Sequence, residues 1–386
     1  MTTKPQHIAV IIDSIKLGGG AEKNAALLAS LIAKEGRKVT LVTFNTYEQE
    51  YSYTCHRVSF AEKSKRFFIL KISKSFLRLL KIKRFCKDNE VTHIVSFLNE
   101  ANTYTLLARL LLRNKPKVLV SVRADPNFIS NLSKQIIKIL YPYADSVIAV
   151  SKEMEKILRT DFKLQNVCTI HNPVDVSKIK ERLKRPLPKE YSFLENTNQH
   201  PIFVNVGRLT DQKGHIFLIK SFAKFTKLYP MTLLIIIGDG VKKNNLLQEI
   251  KSNHLEKNVF LIGYQDNIYP FLRISDCFLL SSFYEGFPNA LLEAAASGLY
   301  IISTDCNTGP REIIDPGIFG EKISYPYRIN GASLVPDLNQ FDEKPFDLFY
   351  KEMVWFAENK LFEKQSITID RFSKQIFLNK WLDLIT

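Results

Sequence analysis

Two acidic side chains, Glu285 and Glu293, bracket the most chemically suggestive stretch of this 386-residue chain, Ser281-Ser282-Phe283-Tyr284-Glu285-Gly286-Phe287-Pro288-Asn289-Ala290-Leu291-Leu292-Glu293-Ala294-Ala295-Ala296-Ser297-Gly298. The segment follows an apolar run, turns through Gly286-Phe287-Pro288 and enters an alanine-rich helix, where Pro288 suits a first turn because its missing N–H is not needed there. Two carboxylates on one strand-turn-helix corner can hydrogen-bond adjacent hydroxyls of a polyol, while the helix N-terminus between them holds a phosphate. On a surface helix Glu293 would be unremarkable. The apolar residues around it predict a buried helix instead, and a buried carboxylate needs a partner.

A second cluster lies in Val206-Gly207-Arg208-Leu209-Thr210-Asp211-Gln212-Lys213-Gly214-His215. An Arg fork and a Lys point charge at the end of a strand are what a diphosphate needs, both to bind and to depart with its charge neutralised. The alternative is a pair of solvated loop cations. A third is Leu17-Gly18-Gly19-Gly20-Ala21-Glu22-Lys23, where consecutive glycines at a strand-to-helix turn bring amide N–H groups close to a ligand; a merely tight turn reads equally well. The dinucleotide fingerprint G-x-G-x-x-G fails here, since Lys23 stands at its third glycine, and no Walker Lys-Ser/Thr follows.

The elements that must position these groups are short apolar runs alternating with amphipathic stretches, the pattern of parallel β/α units. Predicted strands are His7–Asp13, Lys38–Phe44, Thr92–Phe97, Lys117–Val122 and Ser146–Ser151, then Ile202–Val206, Thr232–Ile237, Val259–Ile262, Cys277–Ser281 and Tyr300–Ser303. Each set suffices for one doubly wound sheet, giving an α/β chain of two domains. Val174–Pro201, rich in Lys, Pro and Asn, reads as a linker, and Ile369–Thr386 has helical spacing. Ligands of such sheets bind at the carboxyl ends of the strands, so a cleft between the domains is the expected active site.

The formal charge is +15, with 34 Lys and Arg against 18 Asp and Glu in residues 1–200 and 20 against 21 in 201–386. The excess points the first half toward an acidic partner, whether membrane leaflet, nucleic acid or phosphate. Within it, residues 63–81 form a basic amphipathic stretch: Lys71, Lys74, Arg78 and Lys81 share one helical face and Ile69, Ile72, Phe76, Leu79 and Leu80 the other. This composition suits an anionic membrane surface, while a helix packed on its own sheet with a solvated basic face would read alike. Nucleic acid is disfavoured, because the aromatics lie on the apolar face and build no stacking platform. Five cysteines, odd in number and without a CxxC pair, argue for a reducing compartment and against a zinc site. The opening Met-Thr-Thr-Lys-Pro-Gln-His lacks the charged, apolar and small-residue zones expected of a signal peptide, and no window is long and apolar enough to span a bilayer.

Taken together, the Gly-Gly-Gly-Ala loop, Gly207-Arg208-Leu209 with Lys213-Gly214, and Glu285-x7-Glu293 resemble the retaining glycosyltransferases of family 4, which have the GT-B fold. Ala144-Asp145-Ser146-Val147-Ile148-Ala149-Val150-Ser151, His171-Asn172-Pro173-Val174-Asp175, Ile237-Gly238-Asp239-Gly240 and Gly309-Pro310-Arg311-Glu312 follow in the family's order, over roughly residues 8–325. The resemblance implies two Rossmann-like domains facing across a cleft: an acceptor-binding domain over 1–173 plus about 369–386, a linker over 174–200, and a nucleotide-sugar-binding domain over 201–368. The last helix would cross back to the N-terminal domain.

It also implies roles. Arg208 and Lys213 would grip the donor diphosphate and assist its departure, and Glu293 would accept hydrogen bonds from the ribose. Glu285 would hold the donor hexose, with Phe287, Asn289, Ala290 and Leu291 contributing around the sugar and distal phosphate. Gly19 and Gly20 would add amides from the other wall, and Gly263 and Tyr264, with Gln265, would bracket the base. Where many family members carry a His beside the transferred sugar, this chain has Ser121-Val122-Arg123-Ala124-Asp125-Pro126. Arg123 either faces the cleft or pairs with Asp125 as a local brace.

The implied enzyme retains anomeric configuration and uses neither metal nor cofactor. It moves a UDP-linked hexose or N-acetylhexosamine to a polyprenyl-diphosphate-linked glycan of the bacterial surface (O-antigen, capsule or exopolysaccharide), working at the inner face of the cell membrane. Its partners would be a UDP-sugar donor, a lipid-linked glycan acceptor and an anionic membrane, with no nucleic acid. The rivals are a nicotinamide-dependent dehydrogenase, which needs the fingerprint that Lys23 breaks, and a noncatalytic nucleic-acid-binding protein, which would leave Glu285, Glu293, Arg208 and Lys213 without a purpose.

Overall fold

The run His-Ile-Ala-Val-Ile-Ile at 7–12 is buried along its whole length, as a parallel strand covered by helices on both faces must be. Leu233–Ile237, Cys277–Leu280, Tyr300–Thr304 and Ala332–Val335 are buried throughout in the same way, and several other strands are open only at one end. They were located in a computed structural model that describes residues 6–61, 71–195, 201–338, 344–359 and 367–386, with the side chains of 71–74 and 344–345 outside that description. The chain divides into two units, Met1–Pro173 with Lys374–Thr386, and Val174–Ser373.

Unit 1 holds β1 (His7–Ile12), β2 (Lys38–Thr43), β3 (His56–Ser59), β4 (His93–Phe97), β5 (Lys117–Val122), β6 (Ser146–Ala149) and β7 (Val167–Thr169), with α1 (Gly20–Lys34), α2 (Lys71–Asp88), α3 (Asn99–Leu110), α4 (Asn131–Leu140) and α5 (Lys152–Thr160) between them. The strand order is β3-β2-β1-β4-β5-β6-β7, all parallel. The order reverses between β1 and β4, which makes their carboxyl ends the switch point where ligands of such sheets sit.

Unit 2 repeats the plan. It contains α6 (Val176–Leu183), β8 (Ile202–Val206), α7 (His215–Thr226), β9 (Leu233–Ile237), α8 (Lys243–Ser252), β10 (Val259–Gly263), α9 (Tyr269–Ile274), β11 (Cys277–Leu280), α10 (Asn289–Ala296), β12 (Tyr300–Thr304), α11 (Pro310–Ile314), β13 (Tyr327–Ile329), β14 (Ala332–Val335) and α12 (Lys344–Glu358). Its order is β10-β9-β8-β11-β12-β14-β13, parallel except for the β13–β14 hairpin. The switch point lies between β8 and β11, the strands that lead into the Arg208–Lys213 loop and the Glu285 corner.

The chain then returns to unit 1 as α13 (Lys374–Ile385), whose Phe377, Trp381 and Ile385, four residues apart, enter the core around β1 and β4. The Trp381 ring is fully buried, 5.9 Å from Phe97 and 6.3 Å from Phe377. The predicted start at Ile369 is corrected: 369–373 belong to unit 2, and a 3₁₀ turn at Asp370–Phe372 precedes the helix.

The linker expected over 174–200 is also corrected. Asp175 caps α6 through the Lys178 N–H, Ile179 is buried, and α6 packs on α9 and α10 of its own unit. Tyr191 donates a hydrogen bond to the Ile262 carbonyl (3.1 Å) from a 3₁₀ turn that follows. These contacts make residues 174–195 part of unit 2 rather than a tether.

Candidate active site

The geometry of unit 2's switch point is set first by glycine. Gly214 has φ +62°, and a Cβ there would stand 2.0 Å from the Ser281 carbonyl oxygen, so only glycine lets the start of α7 sit against the end of β11. The approach is fastened by Ser281, whose hydroxyl donates to the Lys213 carbonyl at 2.9 Å, and by Phe283 N–H, which donates to the Gln212 carbonyl at 2.9 Å. The Gln212 amide donates in turn to the Tyr284 carbonyl at 2.8 Å. The Lys213 loop and the Glu285 corner are thereby one rigid piece.

Within that piece the Lys213 ammonium is 2.5 Å from Glu285 Oε1, and the Ser282 hydroxyl donates to the same oxygen at 2.6 Å. Glu285 is 6% exposed, so its charge is held in place by these two donors. The Thr308 hydroxyl donates to the Glu285 main-chain carbonyl. Gly309, at φ +99°, brings that loop so close that a Cβ would lie 2.5 Å from Pro288 Cδ. Beneath the pair, His215 Nε2 donates to Asn205 Oδ1 at 3.1 Å, and the Asn205 amide bridges to the Leu279 carbonyl at 2.7 Å, tying β8 to β11. Burial, assisted by the Lys213 charge, lowers the His215 pKa to about 4, so this imidazole is neutral and structural.

Arg208 stands on the same loop, exposed; its carbonyl accepts from Thr210 N–H at 2.8 Å, while its side chain has no ion pair or hydrogen bond among the described residues. Helix α10 begins at Asn289 with Pro288 as its N-cap, one position earlier than a first-turn residue, and no side chain caps it. Asn289, Ala290 and Leu291 therefore present the helix's first amides on the corner that holds Glu285, where a partial positive charge favours an anion. Glu293 lies one turn further along. The expectation that it is buried is corrected: Leu291, Leu292, Ala294 and Ala295 are buried while Glu293 is partly exposed. Phe287 is buried against Phe372, ring centres 5.3 Å apart, and so supports the corner. Gly263, φ +74°, ends β10 and accepts a hydrogen bond from Gly238 N–H at 2.9 Å; Tyr264 beside it is exposed, and Gln265 donates to the Ile262 carbonyl at 3.0 Å.

The structure thus brings Arg208, Lys213, Glu285, Phe287, Asn289, Ala290, Leu291, Glu293, Gly263 and Tyr264 to the carboxyl edge of one sheet. Sequence reasoning gave no role to Ser282, Thr308, Asn205 or His215. Small polar residues inside apolar runs carry no spacing signal. Arg311 grips the buried Asp305 with Nε contacts of 2.9 and 2.8 Å, which locks the loop after β12.

The remaining predicted residues lie in unit 1. Gly19 is the N-cap of α1, and the Glu22 carboxylate lies against it, 2.0 Å from where a Cβ would stand. The Glu22 carboxylate, of the same sign as a phosphate, thus stands beside the turn that begins α1. Arg123 does not brace Asp125. Asp125 accepts from Asn127 N–H at 2.8 Å and caps a 3₁₀ turn, whereas Arg123 Nη1 donates to Asn172 Oδ1 at 2.6 Å and its guanidinium lies 4.6 Å over the Phe97 ring.

The basic amphipathic stretch departs from expectation where its side chains are described. Residues 63–70 and the side chains of Lys71 and Lys74 lie outside the described residues. Of the supposed basic face, Arg78 pairs with Glu100 and stacks over Phe44 at 5.0 Å, and Lys81 donates to the Phe60 carbonyl at 3.1 Å. Phe76, Leu77 and Leu80 are exposed instead. The inward side of α2 is set by the buried Ile82, Phe85 and Cys86, and Arg78 packs at its margin with its guanidinium on Phe44. No described helix is long and apolar enough to cross a membrane.

Comparison with known proteins agrees with this geometry. Residues 18–178 match the Glycosyltransferase Family 4 domain and residues 189–333 the Glycosyl transferases group 1 domain. The chain is 37% identical over 338 residues to an uncharacterized glycosyltransferase of Methanocaldococcus jannaschii, covering 83% of this chain and 79% of that one. It is 30% identical to the N-acetylgalactosamine-N,N'-diacetylbacillosaminyl-diphospho-undecaprenol 4-alpha-N-acetylgalactosaminyltransferase of Campylobacter jejuni, over 82% of this chain and 85% of that one. Among solved structures, Anabaena HepE in complex with UDP-glucose superimposes with a TM-score of 0.73 at 16% identity, covering 98% of each chain. The fold is that of the GT-B glycosyltransferases.

Proposed function

From the premise that the chain belongs to the family 4 glycosyltransferases, we propose that it transfers a hexose or N-acetylhexosamine, with retention, from a UDP-sugar to a polyprenyl-diphosphate-linked oligosaccharide of a cell-surface polysaccharide. The observation that carries the reading is the Lys213–Glu285–Ser282 cluster beside the N-terminus of α10, with Arg208 unpaired on the same loop. In this reading the bond from the sugar's anomeric carbon to the distal phosphate oxygen breaks. The acceptor hydroxyl attacks from the same face, and its proton passes to the departing phosphate. Arg208, Lys213 and the α10 amides stabilise the charge that gathers on the diphosphate.

Glu285 keeps Lys213 aimed and offers its second oxygen to the sugar hydroxyls. Glu293, one turn into the helix, takes the ribose, and Gly263 with Tyr264 borders the base. The chemistry asks for no metal and no cofactor. The complex of the Anabaena neighbour with UDP-glucose supports the donor class, and the diphospho-undecaprenol substrate of the Campylobacter relative supports the acceptor class.

We place the enzyme on the cytoplasmic face of the cell membrane, peripherally bound. Contact would come through the exposed Phe76, Leu77 and Leu80 of α2, set in the basic half of the chain, with anionic lipid as the partner and no nucleic acid. Thermal unfolding with UDP, NAD or an oligonucleotide tests the donor class, because only a ligand of the native state raises the midpoint. UDP alone is expected to do so, and stabilisation by NAD or the oligonucleotide instead would sink the reading. Product analysis with a panel of UDP-sugars and a lipid extract then identifies donor and acceptor.

A further inference from the structure

Unit 1 carries a cation that the donor site does not use. Arg123 directly follows β5, beside the switch point of its sheet. Its Nη1 is committed to the neutral Asn172 Oδ1, and its π face lies on Phe97. The other two nitrogens, Nε and Nη2, are buried with no hydrogen-bond partner among the described residues, although the residue as a whole stays partly accessible. Nε and Nη2 form one edge of the guanidinium fork, the edge that matches two oxygens of a phosphate or carboxylate. Burial lowers the Arg123 pKa to about 9, with no neighbouring carboxylate offsetting it. A buried cation left without a counter-charge is costly, and a pocket for an anion is the arrangement that would repay it.

An independent observation marks the same place. Leu98, the residue after Phe97, has φ +73° and ψ 153°, a strained region that is otherwise almost exclusive to glycine. The strain is held by polar contacts. Tyr141 OH donates to Asn99 Oδ1 at 3.2 Å, and the Asn102 amide reaches both Tyr141 OH at 3.0 Å and the Ser121 carbonyl at 3.1 Å. This network fixes the ends of β4 and β5 together, and with them the Phe97 ring beneath Arg123.

We propose that the Nε/Nη2 edge of Arg123 is a second oxyanion receptor that takes a phosphate of a diphosphate ligand at the carboxyl edge of unit 1. The proposal rests on the glycosyl-transfer reading for the identity of that ligand, which is either the acceptor's lipid diphosphate or the donor's. Unit 2 already has Arg208 and Lys213 for a nucleoside diphosphate, so the lipid diphosphate is the occupant expected.

The test is calorimetric titration of the full chain at low salt with farnesyl diphosphate, UDP and inorganic pyrophosphate. In Arg123→Gln, farnesyl diphosphate is expected to bind at least tenfold more weakly while UDP stays within threefold. Arg123→Lys, which keeps the charge but not the two-pronged edge, should recover only part of the loss. If UDP weakens instead, the receptor stands and its occupant is the donor. If neither ligand weakens, the receptor is overturned.

In an Arg208→Ala/Lys213→Ala background, pyrophosphate should still bind, and the added Arg123→Gln should abolish it. This arm reads Arg123 even if UDP proves not to be a ligand, so failure of the donor reading and failure of the receptor are told apart. A mere brace would lower the melting temperature when replaced. An uncompensated buried cation should leave it unchanged or raise it, and a fall in Arg123→Gln with pyrophosphate binding intact would also overturn the proposal.

Discussion

The two sheets are built to one strand order up to their fifth strand, yet they treat the cation at the carboxyl edge in opposite ways. In unit 2, Lys213 is neutralised by Glu285, which is itself fixed by Ser282, so a ligand must share that buried pair, and the cation open beside it, Arg208, is a solvated one. In unit 1, Arg123 meets, among the described residues, only the side-chain carbonyl oxygen of Asn172 and an aromatic face, so no carboxylate there answers its charge. A paired cation is held in position for chemistry, because charge that develops in a reaction meets a group already aimed. An unpaired one is suited to binding, because its full strength is released only when an anion arrives. Shared topology dictates where the sites lie, and the side chains at each strand end decide what each can do.

The comparison is broken most sharply at Lys213. Lys213→Ala and Arg208→Ala should each lower kcat/KM by roughly 10²–10³-fold, the scale of one lost oxyanion donor, with the folded state intact by circular dichroism. Glu293→Ala, at the rim of the same corner, should mainly raise the KM for the donor. Full activity in all three variants would remove the chemistry from unit 2.

Next comes backbone geometry. Gly214→Ala drives a Cβ to within 2.0 Å of the Ser281 carbonyl oxygen, so a loss of at least about 3 kcal/mol in urea unfolding is expected. Gly18→Ala in unit 1 has nothing within 4 Å, and only its positive φ makes it costly, at about 1 kcal/mol.

A pH effect of similar or smaller size reads the switch point of unit 2 through His215. Its folded pKa, about 4, is below the ordinary 6.5, so the unfolded chain binds the proton more readily. The stabilisation is complete above about pH 6.5 and is lost as pH falls toward 4, by on the order of 3 kcal/mol at most. His215→Asn should flatten that part of the urea-midpoint profile. The smallest effect is expected at the surface of unit 1: Phe76→Ser with Leu80→Ser should weaken flotation with anionic vesicles several-fold and leave turnover of a soluble acceptor unchanged.

Much of the architecture could be read from the chain because buried parallel strands are continuous apolar runs, as in His7–Ile12 and Leu233–Ile237. β3, with the sequence His-Arg-Val-Ser, was missed because an edge strand needs no such run, and β7 and β13, of three residues each, are too short to show a period. Helix α6 was hidden in an apparent linker because a single buried residue, Ile179, anchors it. Periodicity placed Arg78 and Phe76 on different sides of α2 but did not show that the inward side is set by Ile82, Phe85 and Cys86, or that Arg78 meets Phe44 and Glu100, both distant in sequence. The Lys213–Glu285 pair was foreshadowed by residue type. Its supports were not, since Ser282 and Asn205 differ from ordinary strand residues only in what they touch.

The return of α13 to unit 1 has a consequence for biosynthesis. The part of the chain made first cannot complete its interior until residues 374–386 follow, because Phe377, Trp381 and Ile385 belong to that interior. At about 5–20 residues per second on the ribosome, the intervening 200 residues of unit 2 impose a wait of roughly 10–40 s, during which the Phe97 side of the nascent domain stays open to water and to chaperones. Unit 2, one uninterrupted segment, is free to fold while its elder neighbour is still waiting for its last helix.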